Sequence, residues 1–139
     1  MGGSPFVVYV VDEDPDVRDG LCLLMRSAGF KVRSCATGDE LVDMPGISAP
    51  GCVLFGLSAT GTSAVPLADR LGERGLDLPL IALTAREGRE SDREARAAGA
   101  RFLMRKPVDD RALLDAIHWV VGGITCPPDA NSTRKGNTP

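Results

Sequence analysis

The chain's 139 residues suit one domain with one hydrophobic core and leave room for little else. Its 16 basic and 19 acidic residues give a formal charge of -3, which supplies no global pull toward nucleic acid or an anionic membrane. The longest apolar run, Phe6 to Val11, is far too short to span a bilayer and lacks the basic flank of a leader peptide, so a soluble, cytoplasmic protein is expected.

That run, Phe6-Val7-Val8-Tyr9-Val10-Val11, is continuously apolar and rich in β-branched residues, as a strand covered on both faces should be. Asp14 can cap a helix starting at Pro15, whose stripe Val17, Leu21, Leu24 and Ala28 keeps helical spacing until Gly29 stops it. Lys31 to Cys35 suits a second strand, and Thr37 to Met44 a brief helix ended by Pro45 and Gly46. Cys52 to Phe55 reads as a buried third strand, after which Gly56 to Thr62 is small and polar, as a loop should be. Leu67, Ala68 and Leu71 can face the core from a third helix ending at Gly75, with Pro66 tolerated only in its first turn. Leu78 to Leu83 gives a fourth strand, and Glu90 to Ala98 a fourth helix with Ala95 and Ala98 inward and Gly99 closing it. Arg101 to Lys106 is the fifth strand, and Asp109 to Val121 a fifth helix carrying Leu113, Leu114, Ile117, Val120 and Val121. From Gly122 to Pro139 the chain is rich in Pro, Gly, Ser, Asn and Thr, the composition of a disordered tail. The expected division is an N-terminal extension over 1–5, one domain over 6–121 and a tail over 122–139.

Strand then helix, five times, is the pattern of a parallel α/β sheet. The cysteines Cys22, Cys35, Cys52 and Cys126 form no CxxC pair and His118 is the only histidine, so a zinc site lacks its ligand grouping. They read as three packed thiols and one tail thiol, with an extracellular disulfide framework as the alternative. A (βα)5 sheet gathers binding groups at the carboxyl ends of its strands. Those ends offer Asp12, Glu13 and Asp14, then Gly56 and Ser58, then Thr84 and Ala85, then Lys106 and Pro107. Taken singly they read as a charged helix start, a strand end and a surface cation, and Phe102 as a core residue. Their joint order at successive strand ends carries more.

In that order, over Phe6 to Val121, the chain resembles the receiver domain of two-component response regulators. The resemblance implies a flavodoxin-like, three-layer α/β sandwich around a five-stranded parallel sheet of order 2-1-3-4-5. It further implies an acidic pair that helps hold Mg2+, an Asp ending strand three that accepts phosphate, a hydroxyl that reads it and a Lys that pairs with it. Asp12 and Glu13 match the acidic pair, Thr84 the hydroxyl and Ala85 the small residue after it. Phe102 matches the switch aromatic, and Lys106-Pro107 the lysine with its following proline, joined by a bond that the resemblance implies is cis. The departure is at strand three, where the apolar approach Cys52-Val53-Leu54-Phe55 leads to Gly56, which has no side chain to phosphorylate. Thr60 and Ala64 depart as well, standing where the family usually shows Pro and Gly.

A degenerate receiver is therefore expected, acting in two-component signalling as a phosphorylation-independent protein-interaction module and not as an enzyme. It needs no cofactor, although weak Mg2+ binding by Asp12 and Glu13 stays open, and Lys106 is expected to turn toward one of those carboxylates. The expected partner is a protein, whether a histidine kinase, an output protein or a second copy, with no nucleic acid or membrane bound through this domain. The face made by Arg93, Arg96, Arg101, Arg105 and Trp119 is one candidate surface. Two alternatives stand beside this: a decoy docking on a kinase through Arg18, Leu21, Cys22 and Met25, and a working phosphoreceiver with Ser58 or Asp12 as substitute acceptor. A flavin or other enzyme of similar architecture lacks its parts, having no glycine-rich phosphate loop and no Ser/His/Asp arrangement. No second apolar pattern follows the fifth helix, so an attached output domain is not expected in the sequence as read.

Overall fold

The computed structural model describes residues 6–57, 66–85, 88–106 and 108–122. The chain divides into two compact units, Met1–Pro107 and Val108–Pro139. Within the first, five strands form one sheet: β1 (Val7–Val11), β2 (Lys31–Cys35), β3 (Gly51–Gly56), β4 (Leu80–Thr84) and β5 (Phe102–Arg105). All pair in parallel, in the order β2-β1-β3-β4-β5. This is the flavodoxin-like order that the receiver resemblance implies.

Parallel strands need crossover connections, and the crossover helices cover the sheet. The central strands are accordingly buried, all six residues of β3 and all five of β4 included, whereas the edge strands β2 and β5 are partly exposed. Alternation then sorts the side chains into two layers. Tyr9, Val11, Val53, Phe55, Leu80 and Ala82 join the buried apolar side chains of α2 (Gly38–Val42), α3 (Leu67–Glu73) and α4 (Arg89–Ala98) in one cluster. α1 (Pro15–Ser27) packs on β1 and β2, and its buried Cys22 and Met25 lie outside that cluster. Each fully buried aliphatic side chain in these layers contributes about 1.5–3 kcal/mol.

The helix ends follow from local chemistry. Asp14 caps α1, its Oδ1 accepting the Asp16 N–H at 2.9 Å, with Pro15 as the first helical residue. The face of α1 differs from the expected stripe: Cys22 and Met25 are buried, Val17, Leu21 and Leu24 are half-buried, and Ala28 is exposed at the cap. Leucine spacing alone misplaced the face, because Cys and Met bury as readily as Leu. At α2, Thr37 Oγ1 accepts the Glu40 N–H at 3.2 Å while Glu40 Oε1 accepts the Ala36 N–H at 2.9 Å. That helix stops at Val42, two residues before Met44, and Arg74 Nη1 donates to the Val42 carbonyl at 2.6 Å, satisfying an acceptor at its end.

Pro66 precedes α3 as its N-cap, where a missing N–H costs nothing. α4 ends at Gly99 with φ 90°, and a Cβ there would collide with Ala68 of α3, so glycine is required twice over. In the second unit α5 (Asp110–Gly122) begins after Asp109, whose Oδ2 accepts the Ala112 N–H at 2.9 Å, and Leu113, Ile117 and Val120 fall on one stripe.

Four of the five strands differ from expectation at their ends. β1 loses Phe6; β3 gains a glycine at each end, so Gly56 is its last residue and not the first of the loop; β4 runs Leu80–Thr84; β5 loses Arg101 and Lys106. The 1–5 extension, most of the 122–139 tail and Cys126 lie outside the described residues. Among the described residues, no helix is long and apolar enough to cross a membrane.

Candidate functional site

The register of the sheet builds the site. Val11 pairs with Phe55, so β1 and β3 end level and Asp12 emerges beside Gly56. Gly56 pairs with Leu83 and Thr84 with Arg105, which brings Thr84 and then Lys106 to the same end. The Lys106 N–H donates to the Thr84 carbonyl at 2.7 Å, fixing the point where its side chain departs.

Asp12 is the hub. Its side chain is only 5% exposed, and Oδ2 accepts a charge-assisted hydrogen bond from Lys106 Nζ at 2.8 Å. Oδ1 accepts the Asp14 N–H at 2.9 Å, so the helix start holds the carboxylate from the other side. The main chain is held as well: the Asp12 carbonyl accepts from Arg18 Nη1 at 2.8 Å, and its N–H donates to the Cys35 carbonyl at 3.2 Å. The expected turn of Lys106 toward the acidic pair is thus an ion pair with Asp12, while Glu13 is exposed.

Gly56 faces this pair. A Cβ on Gly56 would lie 2.9 Å from Asp12 Oδ2 and 3.6 Å from Lys106 Nζ, so the pair occupies the space before the bare end of β3. Thr84 is buried at the end of β4, and Ala85 is exposed just after it.

Phe102 is not brought to this place. It opens β5 and pairs with Ile81, which puts it on the Ile81 face of the sheet, whereas Thr84 shares the opposite face with Ala82, Leu103 and Arg105. The residue of β5 that packs on the cluster with Ala95 and Ala98 of α4 is Leu103. The expected link from Thr84 to Phe102 is corrected by strand parity, since a shift of one residue moves a side chain to the other face.

The α1 docking set is corrected too. Cys22 and Met25 are buried, Leu21 is half-buried and Arg18 is engaged with Asp12, so what α1 shows to solvent includes Leu23 and Arg26 instead. Arg93, Arg96, Arg101 and Arg105 are exposed in the first unit, and Trp119 belongs to α5 in the second. Ser58, Thr60, Ala64 and Pro107 lie outside the described residues, and with Pro107 the expected cis bond. Cys22, Cys35 and Cys52 are free thiols. Burial pushes Cys52 up to about 12, and burial with the neighbouring Glu40 charge pushes Cys35 up to about 11, so both stay protonated near neutrality.

The family model for the response regulator receiver domain matches residues 8–118. The chain is a response regulator receiver domain. This receiver is similar to the transcriptional regulatory protein TdiR of Thauera aromatica, 32% identical over 116 residues, or 84% of this chain and 51% of that protein. It is also similar to the transcriptional regulatory protein FixJ of Azorhizobium caulinodans, 29% identical over 115 residues, or 83% of this chain and 54% of that protein. The receiver therefore spans about half the length of these curated relatives (51% and 54%). Among solved structures it is similar to a putative response regulator from Chloroflexus aurantiacus, with a TM-score of 0.74 at 26% identity, covering 86% of this chain and 99% of that one.

The receiver resemblance implies a Mg2+ site, and the donor set here does not fit one. Mg2+ takes near-octahedral oxygen ligands and usually one or two carboxylates. Both Asp12 oxygens already accept from this chain, Gly56 offers no carboxylate, and among the described residues no group of three or more His, Cys, Asp or Glu is gathered for a metal. Sequence reasoning missed the bond from Arg18 to the Asp12 carbonyl, the Asp14 N–H and Leu103. Only Leu103 left a signal, in the two-residue period of its strand.

Proposed function

We propose that this receiver works without phosphorylation, as a non-catalytic protein-binding module in two-component signalling. The observation that carries the reading is Gly56: β3 ends in a residue with no side chain, and the space in front of it faces the Asp12–Lys106 pair. An aspartyl phosphate needs a carboxylate oxygen in reach of the incoming phosphoryl group, and a Cα hydrogen supplies none. The substitute acceptor Asp12 has both oxygens engaged, by Lys106 and by the Asp14 N–H.

A phosphorylation switch works because the added charge stabilises one arrangement more than another. Without an acceptor that difference is absent, and the equilibrium stays where the ion pair sets it. The role left to such a domain is a standing surface for a protein partner. The named relatives are transcriptional regulatory proteins, which favours an output protein of such a regulator as the partner class. The exposed Arg93, Arg96, Arg101 and Arg105 suit an acidic surface on it.

The test is intact-mass analysis after incubation with Mg2+ and a small acyl phosphate, beside a Gly56→Asp variant. The expected result is an unmodified wild type and a variant that gains one phosphoryl group. A phosphoryl group on the wild type would overturn the proposal, and peptide mapping would then locate the acceptor, with Ser58 the first residue to inspect.

A further inference from the structure

We infer that Lys106 is the resident cation of the acidic pocket, held by Asp12 where a receiver would hold a divalent metal, and that this pocket takes no Mg2+. The inference goes beyond the proposed function: it rests on the surroundings of Asp12 and stands whether or not some other residue accepts phosphate.

Asp12 offers three oxygens, and each has a donor from this chain. Oδ2 takes the Lys106 ammonium at 2.8 Å, Oδ1 the Asp14 N–H at 2.9 Å, and the main-chain oxygen the Arg18 guanidinium at 2.8 Å. Two of the three donors carry a full positive charge. A cation approaching Asp12 therefore meets an ammonium and a guanidinium already in place, and must either bind against both charges or displace one of them.

Displacement is costly unless the displaced cation has another anion to receive it. An Asp at the end of β3 would be such an anion, lying next to both Asp12 and Lys106. Gly56 sits there instead, its missing Cβ position 3.6 Å from Lys106 Nζ. Lys106 evicted from Asp12 would leave a side chain that is only 24% exposed without that counter-charge. Mg2+ must also shed tightly held water to bind, and with the ammonium in place a single carboxylate backed by the exposed Glu13 does not repay that cost. The loss of one carboxylate at position 56 thus acts twice, removing a ligand and stranding the lysine on the remaining one. Charge and shape in the pocket then become independent of the metal.

The experiment is thermal unfolding of the whole chain in millimolar MgCl2 against NaCl of equal ionic strength, with no phosphodonor present, for wild type, Lys106→Met and Lys106→Met with Asp12→Asn. The wild-type midpoint is expected to be the same in both salts. Lys106→Met frees Asp12 Oδ2 and is expected to gain a Mg2+-dependent rise of a few degrees, which Asp12→Asn abolishes. An equal rise in the wild type would overturn the inference, because the metal would then bind with the lysine in place. A folded Lys106→Met that ignores Mg2+ would also overturn it, since the ammonium would not be what excludes the ion. Should Lys106→Met fail to fold, amide chemical shifts of the wild type decide: no saturable change at Asp12, Glu13 and Asp14 on adding MgCl2 supports the inference, and a saturable one overturns it. Failure here is separable from failure of the proposed function, which would appear as a covalent mass change.

Discussion

The two ends of β3 both carry glycine, for opposite reasons. At Gly51 a Cβ would run into the main-chain carbonyl oxygen of Val7, its partner on β1, with Leu78 Cδ2 at 3.4 Å behind it. Backbone in the middle of a sheet cannot step aside, so packing dictates that glycine. At Gly56 the atoms in the way are the ends of two side chains, Asp12 Oδ2 at 2.9 Å and Lys106 Nζ at 3.6 Å. Nothing in the backbone demands glycine there. The amino end of the strand is bare because the fold requires it, and the carboxyl end is bare in a place where only chemistry is at stake.

The largest expected effect tests the first half of that contrast. Gly51→Ala must separate β1 from β3 or distort both, and is expected to lower unfolding stability by about 3 kcal/mol in urea denaturation. A nearly neutral result would mean that the two ends do not differ as described. Next comes Lys106→Met, which leaves the buried Asp12 carboxylate without its cation. The expected cost is about 2 kcal/mol, between the values for exposed and fully buried pairs because Lys106 is 24% exposed. A double-mutant cycle with Asp12→Asn checks it: strict additivity would show that the pair contributes nothing.

Gly56→Ala sharpens the comparison from the other side. The methyl group presses on a carboxylate that can rotate, so the expected loss is about 1 kcal/mol and clearly smaller than at Gly51. Equal losses at the two positions would break the contrast. The smallest effect lies inside the same strand, at Cys52. Its folded value of about 12 stands above the ordinary 9.0, so the unfolded chain releases this proton first, and the stability it confers below pH 9.0 is lost as pH rises toward 12. At pH 9.0 itself the loss is expected to be about 0.4 kcal/mol relative to neutrality, and Cys52→Ala should flatten that slope.

Much of the fold is legible in the sequence because buried parallel strands must be continuously apolar. Val7–Val11 and the interior of Gly51–Gly56 announce themselves in that way. The two glycines were read as outside their strand because glycine normally weakens strands, and only the register with Val7 and Leu83 returns them to it. The face of α1 was misjudged for a related reason: its weight lies on Cys22 and Met25, while Leu21 and Leu24 of the expected stripe are only half-buried. At the site, the residue types at the strand ends were enough to suggest that Lys106 seeks a carboxylate. They could not choose Asp12 over Glu13, which depends on one being buried beside Gly56 and the other turned to water. Arg18 was invisible in this role because its acceptor is a main-chain carbonyl. Phe102 failed on parity alone, one residue being the whole difference between the two faces of β5.

The most direct test of the account is a two-dimensional amide spectrum of the wild-type chain, recorded alone and again with Mg2+ and a small acyl phosphate. The account predicts superimposable spectra, with the amides of Asp12, Gly56, Thr84 and Lys106 unmoved. A new set of shifts at those four residues would mean that the pocket still answers to phosphate or metal, and would contradict it.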